Sequence, residues 1–201
     1  MPKTGFTPLH MAAQRGDAQL ISLLIESGVD PNAASPHGIT ALMLAAERNR
    51  AAAVEQLLKA GATAKAASRS GLTALYFASG IHGGPETIGL LLDAGAEVDA
   101  ANGEGMTPLI WAAASRNERT AGALLDGGAN PDRSNDDGFS VLMAAAANSD
   151  PELVQLLLDR GAKVDQQDNK GRTALYWAVK QELPDVIAVL LKAGADPDLA
   201  A

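Results

Sequence analysis

The chain has 201 residues and a formal net charge of −8; its side chains are 47% hydrophobic but only 3% aromatic. Alanine, with 40 residues, and leucine supply most of the apolar content, and cysteine is absent, which excludes thiol catalysis, disulfide staples and Cys-ligated zinc. The 20% of charged residues is too low for a disordered acidic tail, no run approaches the ~20 apolar residues of a bilayer span, and the negative charge disfavours nucleic acid as a partner.

The opening stretch, residues 1–5, carries no apolar leader, which predicts a cytoplasmic chain, or a periplasmic one if a leader has been removed. Gly5-Phe-Thr-Pro-Leu-His-Met-Ala-Ala13 then introduces a pattern that returns at Gly38, Gly71, Gly105, Gly138 and Gly171. The spacings are 33, 33, 34, 33 and 33 residues. A Leu-Leu pair followed by glycine closes each unit, at Gly28, Gly61, Gly95, Gly128, Gly161 and Gly194. Self-similarity at this period marks an array of stacked repeats.

Each unit reads the same way. Thr7 and its equivalents are N-caps, and Pro8 and Pro108 sit at the first helical position, where a missing N–H costs nothing. A helix over residues 8–15 follows, with Leu9, Ala12 and Ala13 on its packing face. Asp17, Asp150 and Pro151 mark the start of a second helix, which in the first unit carries Leu20, Leu23 and Leu24 at helical spacing. Gly28 fits the left-handed position beyond its end, and Asp, Asn and Pro turn the chain into the next unit. Helices of about 8–10 residues are too short to persist alone in water, so the units must stabilise one another by stacking.

The 33-residue frame, with Gly-x-Thr-Pro-Leu-His-x-Ala-Ala and Leu-Leu-x-x-Gly-Ala, closely resembles the ankyrin repeat, and the resemblance runs the length of the chain. It implies an all-α fold with short β-hairpin turns: one solenoid domain over 1–201, stacked in an L-shape, its inner helices lining a concave groove. The repeats would span approximately 2–34, 35–67, 68–101, 102–134, 135–167 and 168–201.

Three features depart from the frame. The third unit has one extra residue within Ser79-Gly80-Ile81-His82-Gly83-Gly84-Pro85-Glu86. A phosphate cradle is one reading, but no Lys, Ser or Thr follows at phosphate-loop spacing, and a partner-contacting bulge with Ile81 and His82 at its tip fits better. At the N-terminal end, Gln19, Ser22 and Glu26 are expected to supply the polar face that a terminal unit needs. At the C-terminal end, Val186, Ile187, Val189 and Leu190 look like an internal unit, which implies a longer array or a last face covered by a partner or a second copy.

No catalytic or metal-binding constellation is legible. His10, His37 and His82 fall in different units, and the resemblance implies that His10, in its Thr-Pro-Leu-His position, bonds Thr7 rather than acting as a base. Neither a nucleophile motif nor calcium-loop spacing occurs, so the chain is expected to be non-enzymatic, without cofactor or metal.

The resemblance directs attention to the residue after each leading glycine, to the inner helices and to the hairpin tips. The first set is Phe6, Ile39, Leu72, Met106, Phe139 and Arg172, a ladder that either forms an exposed apolar strip or packs partly against the next hairpin. Tyr76, Trp111 and Trp177 put aromatics on the inner helices, as interface anchors or as filling between repeats. Tip charges change along the array: Lys3, His37 and Arg69, then Glu104, Asp136 and Asp137, then Lys170. Residues 1–100 hold 7 basic and 9 acidic side chains and residues 101–201 hold 9 and 15, giving −2 and −6; this either steers a partner with a basic patch near the fourth and fifth hairpins or is scattered solvated charge.

The resulting expectation is a module that binds another protein, not nucleic acid or membrane, through groove and tips. An alanine-rich composition is associated with bacterial genes, where an inhibitor, immunity or regulatory role would suit. The alternative is a targeting or scaffold domain of a larger enzyme or effector. A monomer is expected, with self-association through the C-terminal face as the rival arrangement.

Overall fold

The computed structural model describes residues 5–199. Among the described residues it has twelve α-helices in alternating inner and outer positions. They are α1 (Pro8–Arg15), α2 (Ala18–Glu26), α3 (Ala41–Glu47), α4 (Ala51–Lys59), α5 (Ala74–Ala78) and α6 (Pro85–Asp93). The second half has α7 (Pro108–Ala114), α8 (Glu118–Asp126), α9 (Val141–Ala147), α10 (Pro151–Asp159), α11 (Ala174–Lys180) and α12 (Pro184–Lys192). The α1 boundaries coincide with the helix expected over 8–15.

Local chemistry sets these boundaries. The hydroxyls of Thr40, Thr73, Thr107, Ser140 and Thr173 each accept the backbone N–H three residues on, satisfying an orphan donor. Asp17, Asn117 and Asp150 do the same for outer helices, and Pro85, Pro151 and Pro184 occupy the first position of α6, α10 and α12. Gly28 and its five equivalents adopt φ between 83° and 90° beyond the outer helices, a conformation that penalises any Cβ.

The inner helices α1, α3, α5, α7, α9 and α11 pack side by side in one layer, and the outer helices form a second. Leu9, Leu42, Leu75, Leu109 and Leu142 project between the layers and are buried, as are Ile21, Val54, Ile88 and Leu91 from the outer side. Each such side chain contributes about 1.5–3 kcal/mol by leaving water. The paired alanines Ala12–Ala13, Ala45–Ala46, Ala112–Ala113 and Ala145–Ala146 are also buried, letting neighbouring inner helices approach closely.

The hairpins are joined directly. Arg69 N–H donates to the His37 carbonyl at 3.0 Å, Gly103 to Ser70 at 3.0 Å, Asp136 to Glu104 at 3.2 Å and Asn169 to Asp137 at 3.0 Å. Three residues before each of the last five leading glycines stands a polar side chain, Ser35, Ser68, Asn102, Asn135 or Asp168. Each accepts turn N–H groups and fixes the hairpin. The strand character is limited to isolated bridges such as Ala34–Thr40.

Two expectations about the first pair need correction. Leu23 is 60% exposed, while Ile21 takes the buried place. At the equivalent of Leu23 in the next pair, Gln56 reaches back to the preceding outer helix, donating to Ser22 Oγ at 2.7 Å. Among the described residues, no outer helix precedes α2 for Leu23 to meet. The same bond turns Ser22 toward α4, so Ser22 is not part of a polar N-terminal face. At the other end, Ala13, Ala46, Ser79, Ala113 and Ala146 share one position and are fully buried, whereas Val179, their equivalent, is 56% exposed. An apolar C-terminal face is present, but of the residues expected on it Val186 and Leu190 are buried in the core between α11 and α12; Val179, Ile187, Leu191 and Leu199 form it instead, around a cavity of about 430 Å³.

Candidate functional site

The ladder on the inner-helix side is not a free apolar strip. Phe6, Ile39, Leu72, Met106, Phe139 and Arg172 are all half-buried, and Ile39, Met106 and Phe139 pack against the core. Phe6 lies parallel to the His10 ring, with centroids 5.2 Å apart. Each of these side chains is thus only partly open to solvent.

A concavity lies where sequence placed the extra residue. It encloses about 660 Å³ between α5 and α7, and its lining includes Leu72, Tyr76, Phe77, Ile81, Glu104 and Trp111, together with Glu47 from α3. The Tyr76 and Trp111 rings stack at 5.5 Å and 14°. Trp111 is 37% exposed and Ile81 75% exposed. Burial and the nearby Glu104 carboxylate together raise the Tyr76 phenol above its ordinary pKa, because both penalise phenolate.

The extended turn forms one wall of this concavity. After α1, α3, α7, α9 and α11 the chain turns through a residue with positive φ, namely Gly16, Asn49, Arg116, Ser149 and Glu182. Between α5 and α6 no such residue occurs among the described ones, and α5 ends early, Ser79 Oγ donating to the Leu75 carbonyl at 2.7 Å. Asn117 Nδ2 clamps the turn from the following pair, donating to Gly80 O at 2.9 Å and Gly83 O at 3.1 Å. From the preceding pair, Asn49 Oδ1 accepts the Thr87 hydroxyl at 2.7 Å. Ile81 and His82 stand exposed at the tip, as the sequence implied. The clamp by Asn117 was not foreseen; its only sequence signal is an N-cap Asn opposite the insertion.

Trp177, in the last pair, sits in a different environment. The Arg172 guanidinium lies 4.5 Å from its ring centroid and the Lys180 ammonium 4.9 Å from it. Phe139 meets the ring edge-on at 5.6 Å. Arg172 is fixed by Asp168, with Nε and Nη2 each 2.7 Å from Oδ2. Burial alone would raise the Asp168 pKa. The hydrogen bonds from Arg172 and from the Arg172 and Lys170 backbone N–H groups, with the Arg172 charge, outweigh it and hold the carboxyl below its usual range.

Glu104, Asp136 and Asp137 are exposed on adjoining hairpins, tied by the Asp136–Glu104 and Asn169–Asp137 backbone bonds, so the acidic tips are neighbours in space. His37, Arg69 and Lys170 are exposed at the other tips; Lys3 lies outside the described residues. His10 bonds Thr7 Oγ1 at 2.8 Å, the role expected for it. Among the described residues, no group of three His, Cys, Asp or Glu side chains is arranged for a metal, and no helix is long and apolar enough to cross a membrane.

Comparison with known proteins agrees with this architecture. The family model described as "Ankyrin repeats (3 copies)" matches residues 2–67, 61–135 and 120–201. No curated protein matches the sequence. Among solved structures, the ankyrin repeat domain of Bcl-3, described as a unique member of the IkappaB family, is similar at 32% identity and a TM-score of 0.82, over 96% of this chain and 89% of that one. An ankyrin repeat domain from Acinetobacter baumannii AYE is similar at 31% identity and a TM-score of 0.83, over 94% of this chain and 98% of that one. Ankyrin repeats are in general protein–protein interaction modules without catalytic function, and this chain belongs to the ankyrin repeat family.

Proposed function

We propose that this chain, read as six repeats over 1–201, recognises a partner protein through its inner-helix face and hairpin tips, without catalysing a reaction. The observation that carries the reading is the concavity between α5 and α7, where Trp111 and Ile81 are exposed beside the acidic tip residue Glu104. Exposed Trp at the centre of a concave patch is the usual anatomy of an interface anchor. Leu72, Met106 and Phe139 are partly open on the same face, and Arg172 with Trp177 closes it at the last pair. Adjacent carboxylates at Glu104, Asp136 and Asp137 supply orientation for a basic partner surface. The alanine-rich composition and the similarity to an A. baumannii domain favour a bacterial inhibitory or regulatory role, in which occupying a partner's surface is the whole activity.

Co-precipitation with paired variants tests this. Trp111→Ala with Ile81→Ser is expected to lose the partner, while Leu23→Ser with Glu152→Lys, on the outer helices, retains it. Retention by a folded groove variant, or loss by the outer-helix variant, contradicts the reading.

A further inference from the structure

We propose that the concavity between α5 and α7 receives a basic side chain, arginine or lysine, of the partner protein, laid on Trp111 and paired with Glu104 and Glu47. The proposal rests on the inner-helix face being the binding surface and specifies what that surface selects.

The chain itself supplies the comparison. Trp111 and Trp177 occupy the same place, six residues after Gly105 and Gly171. At Trp177 two cations from the same chain lie over the ring, Arg172 and Lys180, and Asp168 holds Arg172 in place. At Trp111 the corresponding residues are Met106, Ala114 and Asn102, so neither intramolecular cation exists. The sign of the neighbouring tip is also reversed, with Glu104 in the place of Lys170. Trp177 also lines a cavity, of about 230 Å³, where Asp137 is accompanied by Lys170 and Arg172; the ring without its own cation is the one whose cavity, about 660 Å³, holds carboxylates and no Lys or Arg.

The cavity chemistry agrees. Its lining includes the carboxylates Glu47 and Glu104 but no Lys or Arg; His82 at the rim is its other titratable group besides Tyr76. Among the described residues, neither carboxylate takes part in an ion pair. The volume of about 660 Å³ lies within the range of ligand-binding clefts. Stacking on Tyr76 holds the Trp111 plane, and the clamped turn carrying Ile81 shields one side from water. A cation over an indole face gains most when it is partly desolvated, and a nearby carboxylate adds to the attraction. An anionic ligand would meet two carboxylates, which disfavours the alternative of a phosphate site in the glycine-rich turn.

The chain has two tryptophans, so its indole N–H signals in a ¹H–¹⁵N spectrum give a direct readout. The probes are capped Gly-Ser-x-Ser-Gly peptides with arginine, lysine or the neutral isostere citrulline at x. The Trp111 signal, assigned by its absence in Trp111→Phe, is expected to shift saturably with the arginine and lysine peptides. Citrulline should bind at least about fivefold more weakly, and the Trp177 signal should not move. Glu104→Gln, at an exposed site, is expected to weaken the arginine peptide about threefold. Met106→Arg with Asn102→Asp, which copies the Arg172–Asp168 pair, should abolish the shift. No shift at Trp111, an equal response to citrulline, or a response confined to Trp177 overturns the proposal. If the peptide response is absent while a bound partner still protects the inner-helix face, this inference alone falls. Protection confined to the outer helices removes the functional reading beneath it.

Discussion

His10 joins the first helix pair to the second: its Nε2 lies 2.8 Å from the carbonyl oxygen of Ile39. The carbonyl can only accept, so Nε2 donates, while Nδ1 accepts the Thr7 backbone N–H at 3.2 Å. The Ile39 oxygen also accepts the Ser35 N–H at 2.8 Å, so removing the imidazole does not orphan it completely. His10→Ala is therefore expected to cost about 1–2 kcal/mol, measured by urea unfolding, from the lost bonds and the lost Phe6 stack. An unchanged midpoint would show that this bridge contributes nothing net.

The turn after α5 is fitted to glycine at one point. A Cβ on Gly83 would collide with the Ala78 carbonyl, so Gly83→Ala must displace the turn. We expect a loss of about 1–3 kcal/mol and altered exposure of Trp111, read from its fluorescence. Asn117→Ala removes the donor to Gly80 and Gly83 and an N-cap at once, and should cost about 1–2 kcal/mol.

The same side chain should behave oppositely at two equivalent positions. Val179→Ala acts on an exposed face and should change stability by less than about 0.5 kcal/mol. Ala113→Val places the larger residue where α7 meets α9 and should cost about 1–3 kcal/mol through overpacking. Chemical denaturation of the two variants beside the parent checks the contrast.

Asp168 makes the acid limb of stability testable. Its native pKa is depressed, so its stabilising contribution is fully present above the unfolded carboxyl value near pH ~4. That contribution is lost as pH falls through the lower native value. Asp168→Asn should be less stable than the parent at pH 7, and the gap should narrow on acidification toward pH ~3. Urea midpoints across that range measure it; a constant gap would contradict the assignment.

The repeat frame was legible because it is written in local chemistry. Glycine at φ near 80°, a Thr hydroxyl at each N-cap and buried alanine pairs must recur wherever the unit recurs. Contacts between units were less legible, since they depend on which neighbour a side chain meets. Leu23 reads as a core leucine but has no preceding outer helix among the described residues, and Ser22 reads as a surface residue but meets Gln56. The ladder positions follow from the repeat register, but their half-burial depends on how each hairpin seats on its inner helix, which spacing does not encode. The cations on Trp177 were partly visible, Lys180 lying three residues on along the helix; their absence at Trp111 becomes informative only when the two pairs are compared.

Hydrogen exchange with and without a bound partner tests the central claim most directly. Binding through the inner-helix face predicts protection over residues 72–82 and 103–115, with α2, α4, α6, α8, α10 and α12 unchanged. Protection confined to those outer helices, with residues 72–82 and 103–115 unaffected, would contradict it.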